Sequence, residues 1–295
     1  MSLASPQAAI KKAPDQRRIL FLGDIVGRAA RTAVIDQIAE IRQQYQTDAI
    51  VVNCENAAGG FGITPEICDR LFEAGIDVLT TGNHVFDKAE ISPYLSRQPH
   101  LLRPLNMDAG FPGKGSVMVT LADGFRLGVV NVMCNLFMAE NDNAFAAMEK
   151  QMTKMALGTD ADAIVVDVHG EATSEKMAMG HFLDGRVSLV VGTHTHIPTA
   201  DHQILTGGTA YLTDAGMCGN YDSVIGMDKI AATSRFTGRR TKSLSVANGT
   251  PSLCGVLVDV APSGLATQIM PFRRGGAIGI DGDVGNRLTP AAEHR

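Results

Sequence analysis

The chain has 295 residues, of which 45% are hydrophobic and 19% are charged, and its formal net charge is −5. This composition is typical of a globular protein with a substantial core, and it excludes a fibrous or disordered chain. The acidic balance argues against a general nucleic-acid coat or an anionic membrane surface as partner. A small phosphorylated ligand is still compatible, because bound metal ions can override the global charge locally. The length fits one large α/β domain or two small ones.

The two ends of the chain lack the patterns of packed structure. Residues 1–17 contain no apolar stretch of secretory length and are predicted to form a disordered leader. Residues 275–295 are glycine-rich and then polar, and they are predicted to form a loose tail. A single domain is therefore expected over residues 18–274. The longest apolar runs have the length of a strand, so no membrane span is expected.

The cysteines indicate a reducing environment. There are five of them, an odd number, and none forms a C-x-x-C pair. Reduced and mostly buried thiols in a cytoplasmic protein are the expectation.

Apolar, β-rich runs alternate with helical patterns in the first part of the chain. The run Thr64-Pro65-Glu66 combines an N-cap residue, a proline at the first helical position and an acidic first turn. A glycine-rich loop, residues 57–62, precedes it. Strands are predicted at 18–23, 49–53 and 78–81, with helices at 29–44, from 65 onwards and near 88–95.

The second part continues this alternation and then turns mainly to β-structure. Met148, Met152 and Met155 recur at helical spacing within 143–157 and are assigned to core packing. Residues 172–176 are typical of a capped helix start. Strands are predicted at 116–121, 126–132, 163–168, 187–191, 203–205, 208–213, 253–259 and 266–271. The alternating order predicts an α/β fold whose sheet is buried on both faces and at least partly parallel.

Five predicted strands end in polar residues that can bind metal. Ligand sites in such sheets lie beyond the carboxyl ends of the strands. The most prominent end is the run 192–196, in which His194 and His196 project to the same side if the chain stays extended. Such a pair can hold one metal ion or two adjacent ones. The other ends carry Asp24, Glu55 with Asn56, Asn83 with His84, and His169.

The candidate ligands mix carboxylate, amide and imidazole groups. This mixture suits iron, manganese or zinc and disfavours a calcium cage or an iron–sulfur cluster. The candidates are more numerous than one ion normally takes, so two divalent ions are expected, with Glu55 as the best bridge. Two such ions with Asp24 and Glu55 leave a charge of about +2, which suits a phosphodiester or a phosphomonoester. Two metals can activate a water and hold both oxygens of an in-line displacement.

Several runs occur in an order that is typical of one enzyme superfamily. They are Gly23-Asp24, Gly82-Asn83-His84, His169 and residues 192–196. In these runs the chain resembles the calcineurin-like metallophosphoesterases. From about residue 18 to residue 273 it closely resembles their bacterial YmdB-like branch, the 2′,3′-cyclic-nucleotide 2′-phosphodiesterases. This match includes residues 53–60, 103–106, 171–176 and 211–216. Val26 replaces a superfamily histidine and Glu55 replaces an aspartate, and this branch shares both changes.

The resemblance implies a four-layer αββα sandwich with mixed sheets, iron or manganese at the site, and a homo-oligomer. It implies that His84 is the general acid that protonates the leaving ribose oxygen. On chemistry alone, His84 could instead be a further metal ligand, and Asp24 could cap a helix. Arg103 and Lys176 are candidate substrate contacts. The implied metal ligands are Asp24, Glu55 and His196 for one ion, and Glu55, Asn83, His169 and His194 for the other, with Asn56 at the edge.

The resulting hypothesis is a two-metal phosphodiesterase that opens 2′,3′-cyclic nucleotides to 3′-nucleotides by attack of a metal-bound hydroxide. Its partner is a small phosphodiester, and iron is the first choice of metal. Alternatives within the class are a phosphomonoesterase and a nuclease that acts on RNA ends. An alternative from another class is a regulatory protein that senses a nucleotide and turns it over slowly. A structural oligomer with a vestigial site is least favoured, because the candidate ligand set is nearly complete.

Overall fold

The computed structural model describes residues 12–239 and 243–279. The helices are α1 (Gly27–Tyr45), α2 (Pro65–Glu73), α3 (Ile91–Leu95), α4 (Ala144–Met152), α5 (Thr173–Phe182) and α6 (Lys229–Phe236). The strands are β1 (Arg17–Leu22), β2 (Asp24–Ile25), β3 (Ala49–Asn53), β4 (Val78–Thr80), β5 (Ser116–Thr120), β6 (Arg126–Met133), β7 (Ala163–His169), β8 (Leu189–Thr193), β9 (Gln203–Ile204), β10 (Ala210–Leu212), β11 (Met217–Cys218), β12 (Leu253–Val260) and β13 (Ala266–Arg274).

The strands form two mixed sheets and a small parallel pair of β2 with β11. The first sheet has the order β13-β12-β1-β3-β4, in which β1, β3 and β4 are parallel and β12 is antiparallel to both of its neighbours. The second has the order β5-β6-β7-β8-β10-β9, with four parallel strands between antiparallel edges. The parallel strands end in register, since Leu22 pairs with Val52 and His169 pairs with Thr193. The mixed α/β class is therefore confirmed.

Three apolar clusters make up the core. The first joins one face of the first sheet to α1 and α2, the second contains residues of both sheets, and the third joins the second sheet to α4 and α5. Successive residues of β1 enter different clusters: Leu20 lies in the first and Phe21 in the second. In β7, Val165 and Val166 divide between the second and third clusters in the same way. Both sheets are thus buried on both faces, as a strand period of two requires.

Helix α2 begins as the sequence predicts. Thr64 is its N-cap, the Thr64 side chain accepts a hydrogen bond from the Ile67 N–H, and Pro65 is the first helical residue. These contacts satisfy backbone donors that a helix start otherwise leaves unpaired. The predicted cap of α5 is wrong, because its N-cap is Ala172, which makes no side-chain bond.

Two other helix predictions need correction. Helix α3 begins at Ile91, later than predicted, and α4 ends at Met152 instead of continuing to residue 157. Beyond α4 the chain turns, because the N–H groups of Asp160 and Ala161 both donate to the Ala156 carbonyl. Helix α6 was not predicted. Ala232 is its one buried residue, so it lacks the apolar stripe that periodicity detects.

The predicted ends of the domain fall partly outside the described residues, which exclude 1–11 and 280–295. The predicted leader boundary lies too far along the chain, because Lys12 already forms an ion pair with Asp48 and β1 begins at Arg17. Within the described ranges, no helix has both the length and the apolar character needed to cross a bilayer. All five cysteines are free and buried, as predicted.

Candidate metal centre

Residues from the strand ends of both sheets meet in one buried cluster. Glu55 follows β3 of the first sheet, and its Oε1 lies 3.1 Å from Nε2 of His169, the last residue of β7. Asn83 Oδ1 lies 3.0 Å and His194 Nδ1 lies 3.1 Å from the same nitrogen. Ligand atoms bound about 2.1 Å from one ion lie about 3 Å from one another. The three atoms around His169 Nε2 therefore lie at the spacing from it that is expected within one coordination sphere.

A second group adjoins the first. Asp24 Oδ1 lies 3.9 Å from His196 Nε2 and 4.0 Å from His169 Nδ1. Asn56 Nδ2 lies 3.2 Å from His196 Nε2 and 3.2 Å from Glu55 Oε1. The structure thus brings together all the residues that were predicted as ligands, with Glu55 between the two groups.

The arrangement fits cations on physical grounds. Within the described part of the chain, Asp24 Oδ1 and Asn56 Oδ1 are buried without a hydrogen-bond partner, and unsatisfied acceptors of this kind suit a positive ion. His169 Nε2 has three polar neighbours within 3.1 Å but carries at most one proton, so these contacts cannot all be hydrogen bonds. The backbone at Gly82 passes over the group, since a Cβ there would lie 2.2 Å from His169 Nε2 and 2.4 Å from Glu55 Oε2.

A buried polar network orients His169. Its Nδ1 lies 2.9 Å from Thr193 Oγ1, whose hydroxyl donates to Asp167 Oδ1 at 2.7 Å. Because that proton is used on Asp167, Thr193 accepts from the Nδ1–H group, and the Nε2 atom is left for a metal. Thr80 Oγ1 and Asn53 Nδ2 also donate to Asp167, at 2.5 and 3.0 Å. Sequence reasoning missed this network; the available signal was one aspartate inside an apolar strand.

The histidines beyond β8 do not follow an extended chain. His194 and His196 have φ angles of 96° and 67°, a region that residues other than glycine rarely adopt. The extended chain on which a shared side depends is therefore absent at these two residues, and the turn sends the two rings to different groups of the cluster. Their outer nitrogens are held, since His194 Nε2 lies 3.3 Å from Glu171 Oε2 and His196 Nδ1 donates to the Ile225 carbonyl at 2.8 Å.

A buried ion pair supports this turn. Lys176 Nζ donates to Asp214 Oδ2 at 2.8 Å and to the Thr193 carbonyl at 2.7 Å. Asp214 Oδ2 also accepts from the N–H and the hydroxyl of Thr195, at 3.1 and 2.7 Å. The Lys176 and Asp214 side chains are at most 1% exposed. The pair therefore fixes the backbone between the two histidines.

Both predicted substrate contacts are used inside the protein. Lys176 belongs to the ion pair just described. The buried Arg103 guanidinium donates to the carbonyls of Pro104 at 2.8 Å and Pro112 at 3.2 Å, so it holds its own loop together. We therefore do not retain either residue as a substrate contact.

His84 lies beside the cluster. Its backbone N–H donates to Glu55 Oε2 at 3.2 Å, and its ring Nδ1 lies 2.7 Å from Asp87 Oδ2. The Asp87 contact orients the ring and leaves Nε2 for another partner. Asp87 was not identified from the sequence, although it stands only three residues beyond His84. The alternative role of Asp24 as a helix cap does not apply, because the N-cap of α1 is Val26 and makes no side-chain cap bond.

Burial and mutual charge set the protonation of the cluster. Burial raises the pKa of Asp24. Burial also opposes ionisation of Glu55, but the charge and hydrogen bond of His169 outweigh it and lower the Glu55 pKa to about 2. The same pairing raises the pKa of His169 to about 9 against the effect of burial. Burial and the charge of His169 lower the pKa of His194 to about 3. Without metal, the cluster therefore holds a Glu55–His169 ion pair beside a neutral His194.

The protein has a mixed α/β fold in which a metal-competent cluster lies at the carboxyl ends of the strands of both sheets. This structure is similar to that of a phosphatase. A crystal structure described as a novel phosphatase from Mycoplasma pneumoniae superposes with a TM-score of 0.79 at 31% identity, covering 89% of this chain and 94% of that one. A hypothetical protein from Thermus thermophilus gives a TM-score of 0.80 at 38% identity, covering 87% and 98%.

Sequence comparisons assign the family. The family model described as YmdB-like protein matches residues 20–272. The 2′,3′-cyclic-nucleotide 2′-phosphodiesterase of Bacillus subtilis is 42% identical over 243 residues, covering 82% of this chain and 91% of that protein. A putative phosphatase/phosphodiesterase of Mycoplasma genitalium is 35% identical over 254 residues, covering 83% and 88%. The chain belongs to the YmdB-like family, which confirms the resemblance found in the sequence.

Proposed function

We propose that this protein is a metal-dependent phosphodiesterase that opens 2′,3′-cyclic nucleotides to 3′-nucleotides. The observation that carries the proposal is the convergence of metal-competent side chains from both sheets on one buried point, with Glu55 between two groups. The kinship with the Bacillus subtilis phosphodiesterase supports the substrate class.

The residues fit two divalent ions. When bound, such ions lower the pKa of a water molecule and neutralise phosphate oxygens. Iron is the first choice and manganese or zinc is compatible, since oxygen and imidazole ligands suit all three. One ion would be held by Glu55, Asn83, His169 and His194, and the other by Asp24, Glu55 and His196, with Asn56 at the edge.

His84 supplies the proton that the reaction needs. Ring opening adds water to phosphorus and breaks the bond to the ribose 2′-oxygen, which must then gain a proton. The His84 ring stands beside the cluster, its backbone is tied to Glu55, and Asp87 holds its Nδ1. His84 Nε2 is therefore the atom assigned to donate to the departing oxygen.

Replacement of this ring tests the assignment. His84→Ala should lower kcat on 2′,3′-cyclic AMP by about 10²–10⁴-fold, the usual contribution of a general acid. Its metal content, measured after anaerobic purification, should stay that of the wild type. His100→Ala is the matched control, because His100 contacts the Asp77 carbonyl at the opposite end of β4. Full activity of His84→Ala would remove His84 from the mechanism, and loss of metal would make it a ligand instead.

A phosphomonoesterase is the second candidate, and the name of the Mycoplasma genitalium relative favours keeping it. Turnover of cyclic nucleotides, 3′-nucleotides and short RNAs ending in a 2′,3′-cyclic phosphate separates the candidates. The main proposal expects cyclic mononucleotides to react fastest. Preference for 3′-nucleotides or for RNA ends would replace it.

The architecture proposed for residues 18–274 is one four-layer αββα domain. It is supported by the three apolar clusters, which place helices against each sheet and the two sheets against each other. Five free, buried thiols support a cytoplasmic setting. A homo-oligomer stays a prediction from the family resemblance.

A further inference from the structure

We propose that the ring of Phe61 is a stacking surface for the nucleobase of the substrate. The inference rests on the proposed hydrolysis of 2′,3′-cyclic nucleotides and assigns the part of the site that holds the base. Phe61 lies in the loop between β3 and α2, directly after the segment that supplies Glu55 and Asn56. Phe61 is 37% exposed, whereas its near neighbours Ala57 and Ile63 are fully buried.

The loop presents this ring in a fixed position. Gly60 and Gly62 flank Phe61 with φ angles of 96° and 76°, which favour glycine. The Gly60 N–H donates to the Asn56 carbonyl at 3.1 Å, and the Ala58 N–H donates to the Gly62 carbonyl at 2.9 Å. An apolar ring is thus held at the surface by a closed and hydrogen-bonded loop.

The ring lies against the proposed general acid. The centroids of the Phe61 and His84 rings are 5.0 Å apart, and the rings meet edge to face at 69°. His84 is tied to Glu55 through its backbone N–H at 3.2 Å. Metal cluster, proton donor and exposed aromatic ring therefore follow one another in space.

The order of these groups matches the order of groups in the substrate. In a 2′,3′-cyclic nucleotide the phosphate bridges the 2′- and 3′-oxygens. The 2′-carbon adjoins the 1′-carbon, which carries the base. A side chain that protonates the 2′-oxygen therefore stands close to the base. Every base has flat faces that stack on aromatic side chains. Phe61 is within reach of that face when the phosphate occupies the metal cluster and the 2′-oxygen faces His84.

The test compares a nucleotide with a substrate that lacks a base. We would measure kcat and KM of the wild type, Phe61→Leu and Phe61→Tyr on 2′,3′-cyclic AMP and on methyl riboside 2,3-cyclic phosphate. Phe61→Leu should lose about tenfold in kcat/KM on the nucleotide, mainly through KM, and little on the base-free substrate. Phe61→Tyr keeps an aromatic ring, so it should retain nucleotide binding. Phe125→Leu is the control, because Phe125 lies beneath Arg17 beside the start of β6.

Equal losses on the two substrates, or no loss on either, would overturn the inference. Calorimetric binding of 3′-AMP and of ribose 3-phosphate to metal-loaded protein gives a second readout that needs no turnover. If the wild type hydrolyses neither cyclic substrate, the proposed function fails. Binding alone then decides the Phe61 assignment. The assignment is supported if Phe61→Leu weakens the binding of 3′-AMP but not that of ribose 3-phosphate. Unchanged binding of 3′-AMP overturns it.

Discussion

Two buried ion pairs at opposite ends of the strands show how differently the two edges of this protein are used. At the amino end of β1, the Arg18 guanidinium donates to both carboxylate oxygens of Asp259, at 2.6 and 2.7 Å, with both side chains 1% exposed. At the carboxyl edge, Lys176 and Asp214 are equally buried. The first pair joins β1 to β12, whereas the second also binds the backbone of Thr193 and so shapes the turn that carries two metal-competent histidines.

The two ends of the strands have different roles, one in stability and the other in chemistry. Parallel strands bring their carboxyl ends to one edge, so polar side chains placed there converge on a ligand. At the amino edge, the Arg18–Asp259 pair joins β1 to β12, and we expect it to act on stability. Matched changes at the two edges should therefore affect the protein in different ways.

The largest effect is expected from Gly82→Ala. The added methyl group would lie 2.2 Å from His169 Nε2 and 2.4 Å from Glu55 Oε2, both of which are buried and held from other sides. We expect loss of metal from the His169 group and a fall in activity of about a hundredfold. Elemental analysis and kcat on 2′,3′-cyclic AMP provide the measurement.

Gly124→Ala is the matched change at the amino edge. Gly124 lies in the turn between β5 and β6 with a φ angle of 89° and has open space around its Cβ position. Strain should lower the free energy of unfolding by about 1 kcal/mol and leave the metal content unchanged. A full metal complement in Gly82→Ala would show that the backbone there does not bound the site.

Lys176→Met should affect both stability and metal binding. It leaves Asp214 buried and unpaired, which lowers the free energy of unfolding by about 3–5 kcal/mol. Because the turn at residues 193–195 loses the Lys176 contact at the Thr193 carbonyl, metal affinity should fall by about 10–100-fold. Denaturant unfolding and metal titration measure the two effects separately.

Arg18→Met gives the comparison its contrast. It breaks a pair that is just as buried, so a similar loss of about 3–5 kcal/mol is expected. Metal affinity of the folded variant should equal that of the wild type. If Arg18→Met and Lys176→Met weaken metal binding equally, the pair at the carboxyl edge has no positioning role.

The smallest expected effect is the release of a proton. The pKa of His169 is raised from its ordinary value of 6.5 to about 9 in the metal-free fold, and a metal ligand must be neutral. Metal binding near pH 8 should therefore release close to one proton from this group, and affinity should fall as pH decreases. Calorimetry in two buffers with different ionisation enthalpies counts the protons. Binding without proton release would contradict the Glu55–His169 ion pair.

The raised pKa of His169 also makes the free energy of unfolding depend on pH. Because the pKa of His169 is higher in the metal-free fold than in the unfolded chain, protonated His169 stabilises the fold fully below about pH 6.5. This stabilisation is lost as pH rises towards about 9. Unfolding of metal-free protein should therefore become easier over that range. Metal-loaded protein should not show the same loss, because the proton has already left.

Local signals predicted much of the fold. Thr64 and Pro65 mark the start of α2 because they satisfy backbone groups within one turn, and the strand at 49–53 has the bounds seen in the structure. Helix α6 escaped detection because it buries little apolar surface. The periodicity of its own residues does not predict this helix.

The sequence by itself determined which residue types stand at the ends of the strands, and therefore that carboxylates, amides and imidazoles gather at one edge. The tertiary structure alone decided how they meet. It placed Glu55 of one sheet against His169 of the other, bent the chain at His194 and His196, and committed Lys176 to Asp214. The physical reason is range: caps and strand periods depend on neighbours in the chain, whereas the meeting of two sheet edges depends on packing between residues more than a hundred positions apart.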